Sequence, residues 1–310
     1  MPIEFHDLSF TYNPKSPFQS SALKNISLTL EEKSFIAIVG RTGSGKSTMI
    51  QMINALLTPT SGYVDINGFI NHPDKKEKIS KKLSKEEKAK AKEEIKRIYQ
   101  KHGSKDIKNL RKKVGLVFQF PEYQLFEDSV EKDAAFGPKN FGVPKDEALK
   151  LAHEALIRVG LNETFFERSP FELSGGEKRK VAIAGILAAS PDILIVDEPT
   201  AGLDPAAAKE TMMLFKEIQR NGTGIILVTH DMDLVASYAE KVVVMEHGNI
   251  EKICTPCELF GEDLTAFSLQ NPHIFDFALR LKNRGLNVDT KDMRTVSDLA
   301  EAIIRSKKNG

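Results

Sequence analysis

Four short apolar runs, at residues 35–39, 114–118, 193–196 and 225–228, constrain what this chain can fold into. None of them alternates with polar residues, so each reads as a strand covered on both faces, as in a parallel sheet. Helical patterns separate them, at 48–57, 145–159, 177–189 and 206–220. Strands alternating with helices predict an α/β fold with a mostly parallel core sheet and helices packed against it. Residues 26–30 differ. Ile26, Leu28 and Leu30 alternate with Ser27 and Thr29, the pattern of a half-buried strand. The 310 residues suffice for one large domain or two modest ones, and no internal repeat is apparent.

The first apolar run leads directly into Gly40-Arg41-Thr42-Gly43-Ser44-Gly45-Lys46-Ser47, followed by Thr48. This is the phosphate-loop spacing of glycine, four residues and Gly-Lys-Ser, in the expected place between a strand and a helix. Glycines let backbone N–H groups turn toward phosphate oxygens, and the following helix N-terminus adds partial positive charge. Lys46 is expected to reach the β and γ phosphates of ATP, and the Ser47 hydroxyl to ligate Mg²⁺. The third apolar run ends in Asp197-Glu198. Asp197 would bind Mg²⁺ directly or through water, and Glu198 would polarise the attacking water. Gln119 and His230 each follow an apolar run. Either alone says little, because an isolated histidine there is more often structural. Beside the other motifs, they become candidates for sensing Mg²⁺, the attacking water or the γ phosphate.

A second glycine turn, Leu173-Ser174-Gly175-Gly176-Glu177, lies between the phosphate loop and Asp197. Ser174 and Glu177 have capping-box spacing ahead of an apolar helix. Two glycines in the first turn would weaken a helix that needed only a cap. They fit a backbone that another body approaches closely, and a helix start with free N–H groups suits a terminal phosphate.

Composition narrows the setting. Net charge is +1, yet residues 72–113 hold 17 Lys/Arg against 7 Asp/Glu. Ser84 and Glu87 again have capping-box spacing, and 85–100 could form a charged helix. Aromatic residues are scarce in this insertion, so no nucleic-acid partner is expected. The candidate roles for the insertion are a solvated surface, contact with anionic lipid and contact with an acidic partner. The two cysteines, Cys254 and Cys257, flank Thr255-Pro256 and read as reduced thiols of a cytosolic protein. The longest apolar or glycine stretch, 181–189, is far short of the roughly 20 residues of a membrane span. The N-terminus lacks signal-peptide character. Two short helical patterns, 272–283 and 297–305, mark the tail.

Taken together, these residues resemble the ATP-binding-cassette (ABC) ATPases over roughly residues 3–250. Phosphate loop, Q-loop Gln119, signature 173–177, Walker B 193–198, D-loop Ala201-Gly202-Leu203-Asp204 and switch His230 occur in that family's order. The resemblance implies an ABC-type P-loop NTPase with an N-terminal antiparallel β layer, a mostly parallel core sheet, a helical signature subdomain at about 121–190 and a small C-terminal extension. The cassette itself is expected at 1–246, with the lysine-rich insertion at about 72–110, and a dimerisation extension at 247–310. In that family two cassettes face head to tail, so Ser174, Gly175, Gly176 and Asp204 would complete the partner's ATP site. Tyr12 matches the aromatic that stacks on adenine. The run Val117-Phe118-Gln119-Phe120-Pro121-Glu122-Tyr123-Gln124-Leu125-Phe126, followed by Ala135-Phe136-Gly137-Pro138-Lys139-Asn140, looks like the ATPases of energy-coupling factor (ECF) importers of vitamins or metals. That group implies a peripheral ATPase on the cytoplasmic membrane face, paired with a second and usually different cassette. A transmembrane coupling subunit would dock at 121–126, and a separate membrane subunit would bind the substrate. ATPases of other ABC transporters are the alternative, with soluble ABC ATPases behind them. The sequence departs from the pattern at Glu177, usually glutamine, and in the length of the lysine-rich insertion.

Overall fold

A computed structural model describes residues 2–73, 84–99, 102–286, 288–290 and 293–308. The chain begins with β1 (Ile3–Tyr12) and β2 (Ser20–Leu30), then β3 (Phe35–Val39), α1 (Lys46–Ile53), β4 (Ser61–Ile66) and β5 (Phe69–Asn71). The basic insertion supplies α2 (Lys85–Ile98) and α3 (Ser104–Lys113), leading into β6 (Val114–Val117). Three helices follow, α4 (Val130–Asn140), α5 (Lys145–Arg158) and α6 (Gly175–Leu187). Then come β7 (Ile193–Asp197), α7 (Pro205–Arg220), β8 (Gly224–Val228), α8 (Met232–Tyr238), β9 (Lys241–Glu246) and β10 (Asn249–Cys254). The tail forms α9 (Pro256–Phe260), α10 (His273–Asn283) and α11 (Val296–Lys308).

Two sheets organise these elements. The first is antiparallel, in the order β2-β1-β4-β5, and the second runs β10-β9-β3-β8-β7-β6. Within the second, β9, β3, β8, β7 and β6 pair in parallel, and only β10 is antiparallel to its neighbour. β3 shows why its residues are all apolar. Phe35 packs toward the helical layer of α4–α7, Ile36 and Ile38 toward α1 and the antiparallel sheet, and Ala37 and Val39 toward α8 and the tail. A strand with both faces covered has no position where a polar side chain meets water.

The predicted strands and helices are present, with ends shifted by one to a few residues, except that β2 begins six residues before the predicted 26–30. α4 lies where no helical pattern is predicted, and Gly137-Pro138 falls inside it. Gly137 is where α4 meets α6, since a Cβ there would stand 3.0 Å from the Gly185 carbonyl oxygen. Pro138 lies in the last turn of the helix and has no N–H to donate to the Ala134 carbonyl four residues back.

The insertion's described helices are tied to the sheet side. Arg97 donates to Asp65 at 3.3 Å, Arg111 donates to the carbonyls of Asn54 and Ala55, and His102 stacks on Phe69. Residues 74–83, the Glu87 side chain of the Ser84 capping pattern, and Gln100 lie outside the described residues. Both cysteines are free, and burial pushes the Cys254 thiol up to about 11, which keeps it protonated. Among the described residues, no helix is long and apolar enough to cross a membrane.

Candidate active site

Because β3, β8 and β7 are consecutive neighbours in one parallel sheet, their carboxyl ends lie side by side. That edge is where open α/β sheets place ligands. The phosphate loop leaves β3, Asp197-Glu198 close β7, and Thr229-His230 follow β8. Lys46, Ser47, Asp197, Glu198 and His230, together with Tyr12 and Gln119, line a cleft of about 480 Å³.

The loop's shape follows from its glycines. Gly45, the N-cap of α1, has φ +102°, and a Cβ there would come within 2.6 Å of the Ala22 carbonyl oxygen. Gly40 is tighter still, with 2.2 Å to the Met245 carbonyl oxygen. α1 has no side-chain cap, so its first-turn N–H groups are left for a ligand in the cleft. Lys46 Nζ donates to the carbonyls of Gly40 at 2.7 Å and Arg41 at 3.1 Å. Burial pulls its ammonium below the usual value, against the opposing pull of Glu198 and Asp197. Such a group gains from an added anion.

Asp197 is held above the usual carboxylate range by burial, and the neighbouring Glu198 pushes the same way. A hydrogen bond from Ser47 and the charge of Lys46 oppose this. Hydroxyl, carboxylate and amide oxygens at Ser47, Asp197 and Gln119, all lining the cleft, make a hard donor set. Glu198 has φ +47°, a left-handed conformation that a non-glycine residue adopts at a cost. Its Oε1 lies 2.7 Å from His230 Nδ1, and its Oε2 accepts from the Thr229 hydroxyl at 3.3 Å. The Glu198 side chain is 17% exposed and His230 78%, so the pair reaches from the sheet edge into open cleft. Tyr12, half exposed at the end of β1, packs edge-on against Phe10, and its hydroxyl lies 3.1 Å from the Thr48 hydroxyl. That bond fixes the ring beside the start of α1. Thr42 and Gly43 line the cleft, Ser44 is buried beneath the loop, and Arg41 is exposed.

Ser174, Gly175, Gly176 and Asp204 are not brought to this cleft. Ser174, Gly176 and Leu203 line a different and larger groove of about 780 Å³ alongside α6 and α7. Ser174 Oγ accepts from the Glu177 amide at 3.4 Å, and its own proton goes to Glu177 Oε2 at 2.7 Å. The same carboxylate oxygen accepts from the Ser174 amide at 2.8 Å. Glu177 is therefore turned back into its own helix cap. A Cβ on Gly175 or Gly176 would meet nothing within 4 Å, so no contact among the described residues requires glycine there. Asp204 caps α7, accepting from the amides of Ala206 and Ala207 at 2.9 and 3.1 Å.

Sequence reasoning passed over two groups. Ser20, Ser21 and Ala22 of β2 also line the cleft, with the Ala22 carbonyl against Gly45 of the phosphate loop. Arg179 and Glu122 form a buried ion pair beside the Q-loop. Arg179 sits inside Lys178-Arg179-Lys180 and reads as a solvated charge run. Its spacing of four and eight residues to buried Ile183 and Leu187 was the available signal.

Fold and cleft together define a P-loop nucleotide hydrolase. The sequence profile described as "ABC transporter" matches residues 23–201. The energy-coupling factor transporter ATP-binding protein EcfA2 of Latilactobacillus sakei is 48% identical over 288 residues, covering 92% of this chain and 90% of that protein. EcfA2 of Lactobacillus delbrueckii subsp. bulgaricus is 44% identical over 312 residues, covering 100% and 99%. Among solved structures, CbiO1 of Clostridium perfringens, described as part of the ABC transporter complex cbiONQ, aligns with a TM-score of 0.68 at 34% identity, covering 91% and 96%. The dimeric cassette MJ0796 bound to ADP and Pi aligns at 0.64 and 28%, covering 82% and 98%. The chain belongs to the ABC transporter family, as an ATPase similar to the ATP-binding subunits of energy-coupling factor transporters.

Proposed function

We propose that this chain is the energy-coupling ATPase of an ECF-type importer for vitamins or transition-metal ions. It would work on the cytoplasmic face of the membrane, paired with a second, different cassette. The observation that carries this reading is the division of the site. The phosphate cleft and the signature turn are both built, on separate surfaces of the chain. A second cassette, placed head to tail, would bring one chain's Ser174, Gly176 and Asp204 to the other's cleft.

In that arrangement Lys46 exchanges its loop carbonyls for phosphate oxygens, and the α1 N-terminus holds the anion. Tyr12 supports the base, with Thr48 holding its hydroxyl. Ser47 and Asp197, with Gln119, would hold Mg²⁺, whose chemistry there is neutralisation of phosphate charge. Glu198 takes a proton from the attacking water, with His230 Nδ1 and the Thr229 hydroxyl orienting its two oxygens. Tyr123 and Phe126, exposed beside the Q-loop, present the apolar surface that a membrane coupling subunit would grip. The tail from residue 247 would help hold the cassettes together.

Glu198→Gln tests the reading. The variant should bind ATP, accumulate a closed cassette pair on size exclusion and lose nearly all turnover. Normal turnover would remove Glu198 as the base. Purification from membranes should bring down a polytopic protein, and its absence would favour a soluble ABC ATPase instead.

A further inference from the structure

Arg179 on α6 is 4% exposed and makes four side-chain hydrogen bonds to two other parts of the chain. Its Nε and Nη2 fork onto Glu122, at 3.0 Å to Oε2 and 2.9 Å to Oε1. Its Nη1 donates to the carbonyls of Pro199 at 3.2 Å and Ala201 at 3.0 Å. Glu122 belongs to the short 3₁₀ turn Pro121–Gln124, immediately after the Q-loop. Pro199 and Ala201 follow Glu198 and lead to Asp204. One guanidinium therefore joins the signature helix, the Q-loop turn and the loop carrying the base.

A buried ion pair is weak evidence of stabilisation, because desolvation offsets its attraction and apolar residues fill the same space as well. The geometry of the acceptors says more. Ala201 N–H donates back to the Glu198 carbonyl at 3.1 Å, closing a tight turn with Glu198 at its strained end. Arg179 holds that turn through the carbonyls one and three residues beyond the base. Phe120, itself at φ +55°, lies with its ring centroid 5.9 Å from the same guanidinium. A Cβ on Gly202 would come within 3.3 Å of that ring, so the D-loop is packed against the Q-loop at this point. Tyr123, next to Glu122, is 85% exposed, so a body docking there adjoins the acidic end of the link.

The geometry points to Arg179 as a positioning residue that transmits displacement of the Pro121–Gln124 turn to the orientation of Glu198, with Glu122 as its lever. This rests on the reading of Glu198 as base and of the Tyr123 surface as the docking face. Lysine at 179 keeps the charge but cannot fork onto a carboxylate while donating to two carbonyls. Glutamine at 122 keeps the shape and removes the charge.

The test uses the full-length chain in its membrane complex, measuring ATP turnover, single-turnover hydrolysis and thermal melting for Arg179→Lys, Glu122→Gln and Glu198→Gln. Arg179→Lys should lower kcat by roughly tenfold to a hundredfold with KM for ATP within about twofold. Glu122→Gln should move the same way by less. In single turnover, Arg179→Lys added to Glu198→Gln should cost nothing further, because the residue acts through the base. An unchanged kcat in both single variants overturns the proposal. So does a loss that multiplies with that of Glu198→Gln, or one that tracks only the folded fraction seen by melting. If Glu198→Gln itself turns over normally, the reading of the base fails first and is identified as the failure.

Discussion

At the scale of single residues, Glu177 is the position where chemistry and family pattern part. In the head-to-tail pair proposed above, a carboxylate in the signature would put negative charge near the partner's nucleotide. The structure directs that charge into the helix's own cap, where Ser174 Oγ and N both donate to one oxygen. Those bonds hold the Glu177 carboxyl below its ordinary value of 4.5. A depressed carboxylate stabilises the fold above the unfolded-state value and loses that contribution as pH falls through the folded one. Glu177→Gln should therefore lower the melting temperature near neutral pH, by an amount matching about 1 kcal/mol or less for so exposed a group. The gap to the parent should close as pH falls below 4.5 and on through the lowered value of the folded state. A gap independent of pH would show that the charge does not strengthen the cap. The placement of Lys46 and Ser47 at the start of α1 and of Asp197 and Glu198 at the end of β7 could be read from the sequence, because each follows from local spacing. The Glu177 orientation could not, since serine and glutamate three apart allow the carboxylate to face either way.

At the scale of elements, helix ends do two jobs. Asp204 caps α7 and also lies at the D-loop. Asparagine caps a helix about as well as aspartate, so Asp204→Asn should keep the melting temperature within about 2 °C. If the charge also serves the partner's site, turnover should fall regardless, and unchanged ATPase would confine Asp204 to capping. α10 docks through His273, whose amide donates to Asp233 at 2.8 Å and whose ring pairs with the same carboxylate. Asp233, with help from Asp231 and Asp276, raises the His273 imidazole above its usual value. A raised histidine stabilises below its unfolded-state value and loses that contribution as pH climbs through the folded one. His273→Asn should therefore destabilise more at pH 6 than at pH 9, as melting curves would register. Element types were readable from periodicity, but α4 was not. Its Gly137-Pro138 breaks the local pattern, and only the close approach of α6 explains a glycine at that point.

At the scale of the whole molecule, the separation of cleft and signature gives the strongest prediction. Gly176 sits in the first turn of α6 with open space where a side chain would go. Gly176→Leu should leave melting temperature and ATP affinity of the isolated chain unchanged, while abolishing the ATP-dependent cassette pair and turnover. Light scattering and calorimetry would report these separately, and a pair that still forms would put the partner's contact elsewhere. The sequence alone determined the phosphate loop, the acids after β7 and the parallel α/β class. These depend on short-range spacing and on strands covered on both faces, which leave direct traces in residue order. Only the tertiary structure decided that β3, β8 and β7 bring Lys46, Glu198 and His230 to one edge. It also decided that Glu177 turns inward and that Arg179 joins segments 57 and 20–22 residues away. Such contacts depend on which strands are neighbours and which helix faces are covered, and local patterning carries no record of either.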